Sequence, residues 1–572
     1  MSRSQQAGAA RWLGLAAAAA LAGCAGQTPA AQPASAPSAS QKAAAAAAAQ
    51  NLDGLLTQSW QSAGVTPSPP ADDGEFLRRV TLDLIGRVPT LGETDGFLAD
   101  TAPDKRARLV DRLLASPAFG ENWADLTQAL LFGGQPDRKI EKDDPRSFFV
   151  TALNENWHYD RFVTDLLTAS GPLRDYPAGA FLVARAKAGG GPEAAAGAVA
   201  RIFMGLQIQC AQCHDHPYDK RWKQTDFYGL VGYFARTKAR RDKGMNGGTV
   251  MGESKMMAAT YELFDQPRGE AKMRAPGASK EVVIKPRFLG RVLEEPAGES
   301  RRQTLARAVV ASDLFAKTLA GRIWAQLFGA GPVDPWDDLG AENDPKHPAL
   351  LGTLADDFRK SGHDVKALLR EIVLCTAYAR SSAPAAAGQD DQGAAVRAFA
   401  RARVRPLAPE QLFRSLLVAT GADEIVRDRQ RRRDRSDRDG EGPGDPADDD
   451  DKAMRLVERT LREYQFTFED DEMADADFDG TLPQALLLLN GELTNNGTRA
   501  EQAGVLSSIL AASRDPGARI ERLFLAAYAR RPTPDELALF RAQVKAAGPA
   551  ARKSYEDAFF ALLTSTEAVT NH

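Results

Sequence analysis

Apolar residues return at intervals of three and four along most of this chain, which is the spacing of one helical face. Leu109, Val110, Leu113 and Leu114 form such a face, ringed by Lys105, Arg106, Arg108 and Asp111. Ser116-Pro117 then stops or restarts the helix, because proline biases the residue before it away from helix. The same periodicity predicts helices over about 146–168, 301–328, 348–360, 364–378, 408–420, 453–465, 500–513, 518–529 and 534–546. Between 239 and 296 glycines and methionines surround Thr260–Phe264 and Glu281–Ile284, which suit short strands. The expected architecture is mainly α. Two helical halves, 51–238 and 297–572, pack together with a small β-rich insertion, 239–296, between them.

The first fifty residues follow another logic. Arg3 and Arg11 accompany an apolar run, Leu13 to Leu21, that is too short to span a bilayer. The run ends in Leu21-Ala22-Gly23-Cys24, which resembles the lipobox of bacterial lipoproteins. That resemblance implies a signal peptide over 1–23 and a lipid on Cys24. The chain would then sit at the periplasmic face of a bacterial membrane, the outer membrane being the expected one, with other exported envelope proteins as partners. The alternative is an ordinary signal peptide with an incidental cysteine. Residues 24–50 are rich in Ala, Pro and Ser, and their composition reads as a tether without a core. No other segment is long and apolar enough to span a membrane.

Charge removes one class of partner. A net charge of −4 over 572 residues argues against nucleic acid, which calls for a concentrated basic surface. The mixed-charge stretch 427–452 holds Arg431-Arg432-Arg433 and Asp448 to Asp451 with almost no apolar residue, and reads as a disordered loop. Hydrophobic residues make up 43% of the chain, enough for substantial cores.

The most specific chemistry lies in Cys210-Ala211-Gln212-Cys213-His214. Two thiols three residues apart can each form a thioether to one porphyrin edge, and the adjacent imidazole can ligate the iron. An exported chain suits this reading, since bacteria attach haem c outside the cytoplasm. Export also permits oxidation of the pair to a disulfide. Val199, Ile202, Phe203 and Leu206 form an apolar helical face, and carrying the period forward places Cys210 and Cys213 on it. A helix end would then turn both thiols and His214 toward one apolar pocket. Pro217 puts the motif at or just past the helix terminus.

A second histidine opens an alternative. Cys210, Cys213 and His216 make a Cys-x2-Cys-x2-His start for zinc or iron, with a fourth ligand from elsewhere. His158, His347 and His363 are the internal candidates, and His347 stands in a loop before a helix, where a ligand can be presented. Met204, or a residue of the Met-rich segment 245–273, is a candidate distal haem ligand. Asp219 and Asp226 can orient the histidines or cap helices. Trp222, Tyr228 and Phe234 can line a haem pocket or fill the core. Cys375, in Ile372-Val373-Leu374-Cys375, reads as a buried thiol.

From Cys210 to Pro217, followed by Tyr218-Asp219-Lys220 and Asp226-Phe227-Tyr228-Gly229, the chain resembles the planctomycete-type paired domains of unknown function, the cytochrome-like DUF1549 and its companion DUF1553. Arg78 to Gly86, Leu109 to Pro117 and Tyr159 to Phe162 agree with the first domain. Arg322-Ile323-Trp324, Leu327-Phe328-Gly329, His347-Pro348, Lys366-Ala367-Leu368, Leu488 to Gly491 and Arg530 to Thr533 agree with the second. Gly321 stands where the family has asparagine, and 427–452 looks like an insertion. The resemblance implies an exported, mostly helical protein with a cysteine–histidine site, and it adds weight to His347. It implies no activity, since the cytochrome label rests on the same C-x-x-C-H.

No phosphate loop, nucleophile elbow or H-E-x-x-H is present. Three functions stay open: a lipid-anchored c-type cytochrome passing electrons, a zinc or iron metalloprotein of structural or hydrolytic kind, and a non-catalytic envelope scaffold.

Overall fold

Where the sequence carries helical periodicity the chain is helical, and capping residues divide the longer stretches. The computed structural model describes residues 39–572 apart from 134–144, 188–189, 242–260, 341–342, 344–345, 386–391, 423–458, 465–466, 468–481, 502–503 and 545–548. The first helices are α1 (Ala39–Ala63), α2 (Asp73–Ile85), α3 (Leu91–Ala99), α4 (Lys105–Leu114) and α5 (Pro117–Phe132). They are followed by α6 (Pro145–Asn154), α7 (Tyr159–Thr168), α8 (Ala180–Lys187), α9 (Gly191–Met204) and α10 (Gln224–Phe234). The second half opens with α11 (Arg301–Val310), α12 (Asp313–Phe328), α13 (Pro348–Lys360), α14 (Val365–Leu374), α15 (Gln392–Arg397) and α16 (Pro409–Thr420). It closes with α17 (Leu482–Asn490), α18 (Glu492–Gly497), α19 (Val505–Ala512), α20 (Pro516–Tyr528), α21 (Pro534–Gln543), α22 (Pro549–Leu563) and α23 (Thr566–Val569). The protein is mainly α, with small β elements between its halves.

The breaks have local causes. Ser116 caps α5 by accepting from the Ala118 N–H, with Pro117 in the first turn. The stretch expected as one helix over 146–168 divides at Asn156, whose φ is 52°. The stretch over 301–328 divides at Ser312, whose side chain caps α12 through the Leu314 N–H. The helix expected over 453–465 falls mostly outside the described residues. Cys24, the signal peptide 1–23 and the charged stretch 427–452 lie outside them altogether.

The tether expectation needs one correction. Residues 39–50 are the first half of α1, not an unstructured spacer. Alanine is the best helix former, and buried Ala45 and Ala49 extend the face that Leu52, Leu56 and Trp60 press into the core. A stretch poor in large apolar residues can still pack when its alanines fall in register with such a face.

The strands stay short. β1 (Gly171–Pro172), β3 (Tyr261–Asp265) and β2 (Thr237–Arg241) form an antiparallel sheet in the order β1-β3-β2. Leu263 lies opposite Gly171, and Asp265 opposite Thr237. The insertion is therefore stitched to the first half. β4 (Ala271–Met273) pairs with β5 (Val282–Ile284), and β6 (Arg405–Pro406) with β7 (Thr570–Asn571).

Packing does not follow the boundary near 297. One hydrophobic core runs from Leu52 to Ala400 across both halves. A second gathers residues from Leu407 to Val569, and Leu82 and Val88 join it from the first half. Helix α2 lies between the two. Phe76, Leu77, Val80, Leu84 and Ile85 enter the first core while Leu82 enters the second.

Every residue from Phe76 to Ile85 is buried, so the charges on α2 must find partners inside the protein. Arg78 has no exposed surface; its guanidinium donates to the carbonyls of Ala527, Glu567, Ala568 and Thr570 at 3.0–3.1 Å. Those carbonyls end α20 and α23, where the helix dipole favours a cation. Burial lowers the Arg78 pKa to about 10, which leaves it charged at neutral pH. Arg79 donates to the carbonyls of Tyr378, Arg380 and His572 and pairs with Glu75 at 2.7 Å. Asp83 accepts from Tyr378 Oη at 2.7 Å, Arg405 at 2.8 Å and Asn571 Nδ2 at 2.8 Å. Gly86 ends α2 at φ 69°, where a Cβ would come within 2.3 Å of Asn122 Oδ1.

Another buried ionisable group sits between α13 and α14. Glu371 is buried, and burial, with Asp357 beside it, pushes its pKa up to about 8. Glu371 Oε1 and Asp357 Oδ2 are buried without hydrogen-bond partners, while Lys360 holds Asp357 Oδ1 at 2.8 Å. A folded-state pKa above the ordinary value of 4.5 means that the folded state holds its proton longer than the unfolded one. The associated stability is present below about pH 4.5 and is lost as pH rises through about 8, at about 1.4 kcal/mol per unit. Glu371→Gln removes that titration. Thermal unfolding from pH 5 to 9 should show a flatter profile for the variant and a higher melting temperature than wild type at the alkaline end. Parallel profiles would contradict this account.

Candidate functional site

Helix α9 carries the first part of the predicted apolar face: Val199, Ile202 and Phe203 are buried on it, and Leu206, just past its end, is buried too. The helix stops at Gly205, φ 58°, whose N–H returns to the Arg201 carbonyl at 3.2 Å while Leu206 N–H reaches Ala200 O at 3.0 Å. A side chain at Gly205 would meet Leu339 and Thr318 at 3.0 Å. The expected continuation of the helical face to Cys210 and Cys213 therefore fails. The period ends before the motif, and a separate 3₁₀ turn, Gln209–Gln212, carries it.

In that turn Ala211 points inward, whereas Cys210 and Cys213 are exposed free thiols. The Cys213 N–H meets the Cys210 carbonyl at 3.4 Å. Instead of facing an apolar pocket, the thiols stand at the surface. A cleft of about 460 Å³ lies between α3 and α4, lined by Phe97, Leu109 and Arg112, and does not border them.

The two neighbouring histidines differ in what their ring nitrogens do. His214 is exposed, and its Nδ1 lies 2.7 Å from the Asp215 carbonyl. A carbonyl can only accept, so Nδ1 carries a hydrogen, and in the neutral ring Nε2 keeps its lone pair. A ligating imidazole has this arrangement, its far nitrogen fixed by a backbone oxygen. His216 has both nitrogens engaged. Nδ1 accepts from the Asp219 N–H at 2.8 Å, and Nε2 therefore donates to the Gln207 carbonyl at 3.1 Å. Its ring closes the loop and has no lone pair left for a metal.

The alternative ligand set of Cys210, Cys213, His216 and His347 is not assembled. Among the described residues, no three side chains of His, Cys, Asp or Glu come together as a metal site. His347 does stand just before a helix, as expected, but its ring packs 4.9 Å from Phe399 and Nε2 lies 3.2 Å from the Arg397 carbonyl. Burial lowers its pKa. His363 lies between Phe315 and Phe358, ring centroids at 5.4 and 5.1 Å, and burial lowers its pKa too. His158 starts α7 without a capping bond.

The remaining candidates divide in the same way. Met204 is buried in the first core, as are Phe234 and, partly, Trp222 and Tyr228. Met273 is buried on β4, and the segment 245–260 lies outside the described residues. Asp219 meets His216 through its backbone, while its carboxylate holds Arg221 at 2.7 Å. Asp226 caps α10 by accepting from the Lys223 N–H. Cys375 is a buried thiol with its pKa pushed up to about 12 by burial.

Residues outside the motif shape it. The buried side chain of Gln224 donates to the carbonyls of Gln212 and Arg274, both at 3.1 Å, and its N–H meets Asp215 Oδ1 at 3.0 Å. That N–H and Lys223 hold the Asp215 pKa below the ordinary value. Gln207 donates to Asp337 at 3.0 Å. Nothing in the spacing of these residues advertises their roles, because each contact joins positions far apart in the chain.

Residues 51–239 match the model PSCyt2, protein of unknown function (DUF1549), and residues 301–544 match PSD1, protein of unknown function (DUF1553). The search of curated proteins gave no significant match, nor did that of solved structures. The chain belongs to the family in which a DUF1549 domain is followed by a DUF1553 domain.

Proposed function

We propose that the protein carries one c-type haem on Cys210 and Cys213, with His214 as axial ligand, and passes electrons to or from another exported protein. The observation that favours this reading is the state of the motif: His214 is exposed with Nδ1 tied to a backbone carbonyl, and the two cysteines that precede it are exposed free thiols. Each thiol can add its S–H across a porphyrin vinyl group, forming a thioether with no net oxidation and with the proton passing to carbon. Haem bound there would supply one-electron transfer. The surface position of the turn suits exchange between proteins more than chemistry on a small enclosed substrate. His216 keeps the loop closed and does not compete for the iron.

The test is haem-dependent peroxidase staining after denaturing electrophoresis of protein matured with haem-ligation machinery. Wild type should give a red, stain-positive band that Cys213→Ala loses. A colourless protein holding a Cys210–Cys213 disulfide, or about one equivalent of zinc, would overturn the reading.

The proposed location rests on the lipobox-like Leu21-Ala22-Gly23-Cys24. The attachment proposed is a lipid on Cys24; among the described residues no helix is long and apolar enough to cross a membrane. A fatty-acid analogue fed to cells should label wild type and spare Cys24→Ala. Equal labelling of both would contradict the anchor.

A further inference from the structure

We infer that Asp337, from the companion half, is a positioning residue for the cysteine–histidine turn of the first half, acting through Gln207 and His216. The inference rests on reading Cys210–His214 as the working site, though not on which group is bound there.

The stretch between the end of α9 and the 3₁₀ turn has no regular structure of its own, so its carbonyls must be satisfied from outside. Gly205 O accepts from the Leu339 N–H at 2.6 Å. Gln207 is held at both ends. Its carbonyl accepts from His216 Nε2 at 3.1 Å, and its side chain donates to Asp337 Oδ1 at 3.0 Å. The other oxygen of Asp337 faces Arg201 Nη1 at 3.7 Å, and the carboxylate is largely buried. Nearby, Arg322 of α12 donates to the Ile202 carbonyl at 2.8 Å and lies over Trp336, 5.2 Å from the ring centre.

These contacts form one line. Asp337 fixes Gln207, Gln207 fixes the His216 ring, and that ring holds the Asp219 N–H at 2.8 Å. Cys210, Cys213 and His214 all lie inside the loop that the Gln207–His216 bond closes. The first half supplies the thiols and the imidazole. The companion half supplies the fixed point from which the turn presents them. Without Asp337 the Gln207 side chain loses its anchor, and the residue whose carbonyl closes the loop is held less firmly.

Hydrogen exchange on the unloaded full chain tests this. The amides to follow are Asp219, bonded to His216 Nδ1, and His216, bonded to the Trp222 carbonyl at 2.9 Å. Asp337→Ala should speed their exchange about tenfold, the effect of losing one charge-assisted hydrogen bond. Asp337→Asn keeps an oxygen that accepts from Gln207, so exchange should stay near wild type. Gln207→Ala removes the same bond from the other side and should reproduce Asp337→Ala. Asp334→Ala, which breaks an exposed pair with Lys346 in the same loop, should change neither amide. Unchanged exchange in both Asp337→Ala and Gln207→Ala would overturn the inference, as would Asp337→Asn behaving like Asp337→Ala. If wild type takes up no haem, the haem reading fails while this comparison still decides the role of Asp337.

Discussion

A helix buried on every side can keep two arginines and an aspartate only if each charge is met within the protein, and α2, itself part of the first half, meets all three by reaching into the second. Arg78 gathers carbonyls from the ends of α20 and α23, and Arg79 gathers those of Tyr378, Arg380 and His572. Asp83 ties Tyr378, Arg405 and Asn571 to one carboxylate. Removing a partner from such a network leaves a buried polar group unsatisfied, and that penalty exceeds the net gain of an ordinary hydrogen bond. The C-terminal residues 570–572 are drawn in as well, through β7 and the carbonyl of His572. The packing of two cores against one helix follows from this requirement.

The cysteine–histidine turn depends on the same union of halves. Its own sequence provides an exposed 3₁₀ turn, two free thiols and one imidazole with a free nitrogen. Its anchorage is borrowed: Leu339 and Asp337 hold the connection from α9, and Gln224 holds the far side. A site on a loop gains precision from rigid surroundings. Here those surroundings include the companion half, whose Leu339 and Asp337 meet the connection from α9.

Much of the fold was legible because helical periodicity and capping are local. The apolar face of α4, the Ser116-Pro117 restart and the strands near 261 and 282 all followed from residues within a few positions of one another. The Cys210, Cys213 and His214 candidates rest on a local signal too, since their spacing is all that singles them out. Three features were not legible. Ala45 and Ala49 look like part of a tether in the sequence because alanine carries little hydrophobic signal away from the face it extends. The helical face was carried past Gly205, where a left-handed residue and the companion's Leu339 end it. The sequence offers His216 as an alternative metal ligand and does not reveal that the Gln207 carbonyl and the Asp219 amide meet its two nitrogens. Each of these turns on a contact or a packing register that spacing alone does not disclose.

Differential scanning calorimetry of the full chain tests the central claim, that α2 makes the two halves one cooperative body. Chains of this length commonly unfold in separate steps. This account predicts a single transition in which the calorimetric and van't Hoff enthalpies agree, and a downward shift of that whole transition in Arg78→Met. Two transitions in the wild type, or an Arg78→Met variant that moves only part of the unfolding, would contradict it.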